Sequence, residues 1–389
     1  MKKEKKYISF TKYVISLVCV VILTGAGFYM YFNNIYQREM KRLSLDSNMR
    51  RIHSFYREIQ ENYFGDIQMN DVTQAALQGM SDALNDPYSS YLNEEDSQRL
   101  SESLQGSFGG IGASLGMVEG RPTIVQAPNE ETPAFKAGLK QGDVMLKVEG
   151  ASVEGKTVSE IVALIRGEEG SKVNLTIERN GEEMDFTLTR AAISIPSVYY
   201  RLDEENKEIG SISISLFNQT TTKEMKDAIV ALRKQGATSF IIDVRSNPGG
   251  LLTEAIKLSS IFLEEHQIIV QYEDRNGNIT KEVASIELAE GFKVHEPVVI
   301  LVDEFSASAS EIFAAALKEN DRAIVIGNNT LGKGSIQSVR QLDEASSARM
   351  TVLKWLTPKG NSVSETGLTP TIVETNSPYQ KAIETFIKD

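Results

Sequence analysis

Two short stretches carry residue types that could do chemistry together. Lys333 sits between two glycines in "GNNTLGKGS", residues Gly327 to Ser335, and Ser308 lies in a run of small residues in "LVDEFSASASEIFAAAL". The lysine stretch comes within one residue of a phosphate-binding loop, G-x-x-x-x-G-K-[ST], but Gly334 stands where a hydroxyl would hold Mg²⁺. The strand-like runs "FIIDV", with Asp243, and "VVILVDE", with Asp303 and Glu304, look like the acidic strands of a nucleotide-hydrolysing site. Both precede the lysine loop, the reverse of the usual order. The following "SIQSVRQL" also lacks the helical face whose N-terminus would hold phosphate. The nucleotide reading fails on those grounds.

Ser308 follows a buried-strand pattern and precedes a helix starting near Ser310. A serine on such a turn lies beside helix N-terminal N–H groups that stabilise a developing oxyanion. The plainer reading is a cap: Ser308 to Glu311 fits S-x-x-E, worth about 1 kcal/mol of helix stability. As a nucleophile Ser308 needs a base, and His53, His266 and His295 sit in no promising motif. A lysine serves if burial lowers its pKa from about 10.4 to roughly 7–8. Lys333 qualifies if its glycine neighbours let backbone enclose it; otherwise it is a solvated turn lysine.

Taken together, "SASASEIFAAAL" and "LGKGSIQ" resemble the carboxyl-terminal processing (tail-specific) proteases. That resemblance implies a Ser-Lys dyad with Ser308 as nucleophile, Lys333 as base and Gln337 orienting the lysine. "DVRSNPGG", Asp243 to Gly250, resembles the family's loop for one oxyanion donor, from Gly249 or Gly250, with the Ala309 N–H as the other. "NDPYSSYL" and "TPKGNSVSETGLTPTI" also look like family features flanking the core. No metal, nucleotide or other cofactor is implied.

The positioning elements follow from pattern. Residues 191–375 alternate strand and helix, which predicts an α/β core. Residues 105–190 read as short strands with glycine turns, an Asn180-Gly181 hairpin, and one helix with Val158, Ile161, Val162 and Ile165 on one face. "ETPAFKAGLKQGDVMLKVEG" resembles a PDZ domain, with Glu149 where Asn or Asp is usual. By that resemblance Gly110, Ile111, Gly112 and Ala113 of "FGGIGASL" would receive a peptide's terminal carboxylate, and the strand after them would pair with the peptide. Arg166, just past the helix, would touch the core.

Before these come helical patterns over residues 33–100, with Ile52, Phe55, Tyr56, Ile59 and Tyr63, then Val72, Ala76, Met80 and Leu84, whose apolar faces point to a homodimer. Residues 376–389 read as a helical tail. Four lysines before residue 7 precede about twenty mostly apolar residues, 13–32, enough to span a bilayer. No A-x-A site follows, so an uncleaved anchor is favoured over a signal peptide. Residues 1–12 would then be a cytoplasmic tail, and the remainder would lie outside the cell membrane. The formal net charge of −12 argues against nucleic acid, and the single Cys19 excludes an internal disulfide and a cysteine metal site. The expected architecture is therefore multi-domain α/β: transmembrane helix, helical region, PDZ-like β-rich domain and α/β protease core. The expected function is an anchored serine endopeptidase acting on protein C-termini. The alternative is a non-catalytic PDZ scaffold that binds C-termini.

Overall fold

The structure is a computed structural model that describes residues 30–35 and 47–387. Most of the expected membrane span, and the whole cytoplasmic tail, lie outside the described residues. Among those residues no helix is long and apolar enough to cross a membrane.

The chain divides into two compact units, residues 1–80 and 81–389. In the first, helices α1 (Ser47–Asn62) and α2 (Met69–Asp82) form where the apolar spacing predicts them, yet neither contains a fully buried residue. Ile52, Phe55 and Met80 stay exposed while Tyr56, Ile59 and Val72 are half-buried, so the apolar faces of these helices are only partly covered.

The second unit begins with a turn at residues 86–89, strand β1 (Ser90–Leu92) and helix α3 (Glu94–Gln105). Asn93 caps α3 by accepting the Asp96 N–H, and three acidic residues in its first turn suit the helix dipole. The β-rich domain is reached through β2 (Ser107–Gly110) and left through β9 (Ala191–Ser194), which pair antiparallel. Between them lie β3 (Ser114–Val118), β4 (Arg121–Gln126), helix α4 (Pro133–Ala137), β5 (Val144–Val148), β6 (Ala151–Ser152), helix α5 (Val158–Ile165), β7 (Lys172–Arg179) and β8 (Glu182–Thr189). The sheet order is β3-β4-β5-β7-β8, which leaves β3 as an edge strand. Ile124, Met145, Ile161, Val173, Leu175 and Ile177 fill its core. Glu149 has an explanation here. Its φ of 49° is a left-handed value that favours Asn, Asp or Gly, and its carboxylate accepts the Asn174 N–H at 2.8 Å and the Asn174 amide at 3.1 Å.

The α/β core carries a six-stranded sheet in the order β10 (Val198–Leu202), β11 (Ile209–Ile214), β12 (Ser239–Asp243), β15 (Val298–Val302), β16 (Ile324–Gly327), β19 (Ile372–Val373). All pairings after β10–β11 are parallel. A parallel pair needs a crossover, and helix α6 (Thr221–Lys234) supplies it between β11 and β12. Helices α7 (Leu252–Phe262) and α8 (Ala309–Glu319) join α6 in the main core, while the C-terminal helix α9 (Pro378–Ile387) buries Ala382 and Ile383 in a separate cluster with Ile241, Val299 and Leu301.

A second sheet runs β1-β18-β13-β14, where β13 is Ile268–Glu273, β14 is Ile279–Val283 and β18 is Ser347–Leu356; β17 (Ser335–Gln341) also pairs with β18. Residues 90–92 therefore add a strand to this sheet, although the pattern placed them in the helical region. Three residues are too few for alternation to mark a strand, and only the pairing with β18 defines it.

Phe313 of α8 is fully buried between Phe217, 6.1 Å away, and Phe262, at 5.9 Å edge-on. Phe313→Ala is expected to destabilise the chain by about 3–5 kcal/mol through the cavity it leaves. Urea unfolding should show a lower midpoint at unchanged slope.

Candidate active site

The Ser308 turn is fixed from three sides. β15 is buried along its whole length and ends at Val302. Asp303 N–H donates to Ser306 Oγ at 3.0 Å, and Ser306 Oγ–H donates to Val244 O at 2.7 Å. Ser308 then adopts φ 54° and ψ −115° and α8 starts at Ala309. A serine in that conformation carries strain of about 1–3 kcal/mol, which surrounding contacts must offset. Ordinary N-caps are extended. Here both halves of a capping box are in place: Glu311 Oε2 accepts the Ser308 N–H at 2.7 Å, and Ser308 Oγ faces the Glu311 N–H in a looser contact that falls short of a full cap hydrogen bond.

The loop from Asp243 to Gly250 packs against this turn through Asn247, which is fully buried. Asn247 O accepts from Ala307 N–H at 3.0 Å and from Ser310 Oγ at 3.0 Å, and its amide donates to Ile214 O at 2.8 Å. Its Oδ1 accepts the Gly249 N–H at 2.9 Å. That bond removes Gly249 as an oxyanion donor. Gly249 serves the approach instead: at φ 103°, a Cβ there would lie 2.8 Å from Ser308 Cβ and 2.9 Å from Ala309 N. Among the described residues the N–H groups of Gly250 and Ala309 donate no hydrogen bond. Asp243 pairs with Arg245 Nε at 2.8 Å, and Asp303 accepts the Ser246 N–H at 2.9 Å, so both candidate acidic-strand carboxylates hold this loop.

Glu311 joins the serine to the lysine. It is fully buried, and its carboxylate accepts four hydrogen bonds: from Ser308 N–H at 2.7 Å, Lys333 N–H at 3.0 Å, Gly332 N–H at 2.8 Å and Thr330 Oγ at 2.6 Å. Sequence reasoning saw Glu311 only as a capping-box residue; its second and larger role spans 22 residues and left no local signal. The lysine loop is further held by Trp355, whose Nε1–H donates to Lys333 O at 2.7 Å. Both flanking glycines are buried under the 363–367 segment: a Cβ on Gly332, at φ 88°, would lie 2.9 Å from Gly367 N.

Lys333 is half-buried. Burial pushes its pKa below the ordinary lysine value, the Arg349 charge pushes the same way, and Glu311 and Asp86 oppose them. Its Nζ lies 4.8 Å from the centre of the Tyr88 ring. Among the described residues Lys333 Nζ and Ser308 Oγ share no hydrogen bond; Oγ has only the loose capping contact and Nζ the Tyr88 ring. Gln337, expected to orient the lysine, donates instead to Ser335 Oγ at 2.8 Å and Thr351 Oγ1 at 3.1 Å. The β17–β18 register shifts between Ile336 and Gln337 and brings Gln337 opposite Thr351, a neighbour that periodicity alone could not identify.

In the β-rich domain Gly110 ends β2, opposite Ala191, while the N–H groups of Ile111, Gly112 and Ala113 donate no hydrogen bond among the described residues. Ile111 O accepts the Ala134 N–H at 2.8 Å, which ties the loop to α4. The loop leads directly into the open edge of β3, the arrangement a peptide strand would join. Arg166 lies 4.0 Å above the Phe108 ring of β2 and bonds Glu102 of α3 at 2.9 Å, partners other than the α/β core it was expected to touch.

Removing the Glu311 carboxylate would orphan four buried or half-buried donors. Glu311→Ala should cost about 3 kcal/mol or more in urea unfolding, and Glu311→Gln about half that because one acceptor oxygen survives. A cost below about 1 kcal/mol for Glu311→Ala would show that the two loops hold without it.

Residues 208–374 match Peptidase family S41, residues 109–189 the PDZ domain, and residues 24–96 the activating protease CtpB N-terminal domain. Carboxy-terminal processing protease CtpA of Bacillus subtilis (strain 168) is 37% identical over 382 residues, spanning 98% of this chain and 79% of that protein. A probable CtpA-like serine protease of Staphylococcus saprophyticus is 34% identical over 372 residues, spanning 95% and 74%. Among solved structures, a photosystem II D1 C-terminal processing protease aligns over 82% of this chain and 86% of its own, at 28% identity and a TM-score of 0.46. With a relative 37% identical over nearly the whole chain and the S41 match over its core, the chain belongs to the S41 carboxy-terminal processing serine proteases.

Proposed function

We propose that this serine protease works by a Ser308–Lys333 dyad, with its PDZ domain holding the substrate's free C-terminus. The observation that carries the reading is the Glu311 carboxylate, which ties the backbone N–H groups of both residues to one buried oxygen. Neutral Lys333 Nζ takes the Ser308 Oγ proton as Oγ attacks the scissile carbonyl carbon. The oxyanion forms beside the unused amides of Ala309 and Gly250. The lysine ammonium then protonates the leaving amine and an acyl-enzyme remains. Water, deprotonated by the same lysine, attacks the ester and releases the new C-terminus. Gln337 would orient the ammonium once it leaves Thr351. Burial of Lys333 supports the scheme because it enlarges the neutral fraction at a given pH.

We further assign residues 13–32 as a single-pass cell-membrane anchor with the N-terminus cytoplasmic and the catalytic part outside, supported by the lysine-flanked apolar run. The partly uncovered faces of α1 and α2 support a homodimer.

The dyad is tested with the full-length chain and an unfolded protein substrate. Ser308→Ala and Lys333→Ala should each lower kcat/KM by about 10³-fold or more. Retained activity in either variant sinks the assignment. For the PDZ site, a substrate peptide with a free carboxylate should bind the Ser308→Ala chain at least about tenfold more tightly than its C-terminal amide, since charged hydrogen bonds are worth about 1.5–3 kcal/mol. Equal affinities would place C-terminal recognition elsewhere.

A further inference from the structure

The turn at residues 86–89 reaches both the lysine and the glutamine of the proposed machinery. Asp86 Oδ2 accepts Thr351 Oγ1–H at 2.6 Å and Ser89 Oγ–H at 2.6 Å, and Ser89 Oγ accepts the Thr351 N–H at 2.9 Å. Strand β1, immediately after the turn, continues the attachment by pairing with β18. Thr351 Oγ1 is the same atom that accepts from Gln337 Nε2 at 3.1 Å. A chain of hydrogen bonds thus runs Gln337–Thr351–Asp86. From the same turn, the Tyr88 ring faces the Lys333 ammonium at 4.8 Å from its centre.

We propose that Tyr88 is a positioning residue for Lys333, and that this turn sets a resting state of the dyad. In that state the ammonium rests on the Tyr88 face while Asp86, through Thr351, keeps Gln337 away from it. This rests on the Ser308–Lys333 reading above. An aromatic face attracts a cation through its quadrupole and has little hold on a neutral amine. Loss of the proton therefore frees Lys333 to turn toward Ser308 Oγ, so the lysine's protonation and its position are coupled. The charges facing Lys333 are Arg349 on β18, Glu311 on α8 and Asp86 on the turn, with the Tyr88 phenol as the other titratable neighbour. Arg349 disfavours the ammonium and the two carboxylates favour it. For Asp86, burial alone would raise its pKa, but hydrogen bonds from Ser89, Thr351 and the Tyr88 N–H, with the Lys333 charge, hold it below the usual value. Asp86 thus stays ionised at neutral pH and keeps its grip on Thr351.

The sign follows from the ring's preference. A contact that favours the ammonium raises the pKa at which the base becomes available, so removing the ring should move the acidic limb of the kcat/KM profile to lower pH. Tyr88→Leu and Tyr88→Met in the full-length chain should shift that limb down by about half to one pH unit. Tyr88→Phe, which keeps the face, should leave it in place. The position of a pH limb does not depend on the fraction of folded enzyme, so partial destabilisation by Leu or Met does not obscure the shift. Ser308 titration with a fluorophosphonate probe gives the active fraction separately.

A limb that stays put or moves up in both the Leu and Met variants overturns the proposal. So does a Phe variant that shifts as far as Leu, and so does total loss of activity in Leu and Met while Phe is active. Lys333→Ala separates the two readings. If it retains wild-type activity, the dyad itself fails. If it is inactive while the Leu limb is unmoved, only the role of Tyr88 fails.

Discussion

The buried carboxylate of Glu311 is the constraint on which the site depends. An unsatisfied carboxylate at this depth would be costly, so the chain must bring it donors. Two come from the lysine loop's backbone, one from Thr330 and one from the Ser308 amide. Satisfying Glu311 and placing Lys333 near Ser308 are therefore one folding event. The link also offsets the strain of Ser308, whose amide is held by the first turn of the helix it opens.

Close backbone approach is the second theme. Gly249 allows the Asn247 loop to lie against the serine turn, and the glycines beside Lys333 allow the 363–367 segment to cover it. Asn247 then spends its side chain and carbonyl on that junction, leaving the neighbouring Gly250 and Ala309 amides unused. Backbone N–H groups held this way have directions fixed by the fold, the property that the proposed oxyanion site would use.

Opposed influences act on Lys333, and burial is the largest of them. Burial and Arg349 favour the neutral amine; Glu311, Asp86 and the Tyr88 face favour the ammonium. The net effect lowers its pKa, the direction that enlarges the neutral fraction. The residues that set its pKa come from three separate parts of the chain: the 86–89 turn, α8 and β18.

Much of this was legible from sequence because it is local. The strand–turn–helix around Ser308, the glycines around Lys333, the Asn180-Gly181 hairpin, and the apolar faces of α1 and α5 are all written within windows of a few residues. Charge and cysteine count likewise bounded the chemistry without a fold. What tertiary structure decided is how distant segments share atoms. Gly249 looked equivalent to Gly250 until Asn247 Oδ1 took its amide. Thr351, the neighbour that Gln337 has in this structure, was fixed by the β17–β18 register. "NDPYSSYL" fell within the stretch read as helical until β1 paired with β18 and brought Tyr88 to the lysine. Periodicity and turn chemistry report what a residue does to its own neighbours. Hydrogen-bond partners across tens or hundreds of residues are chosen only when packing brings the segments together, and in this protein those partners decide which groups remain free to react.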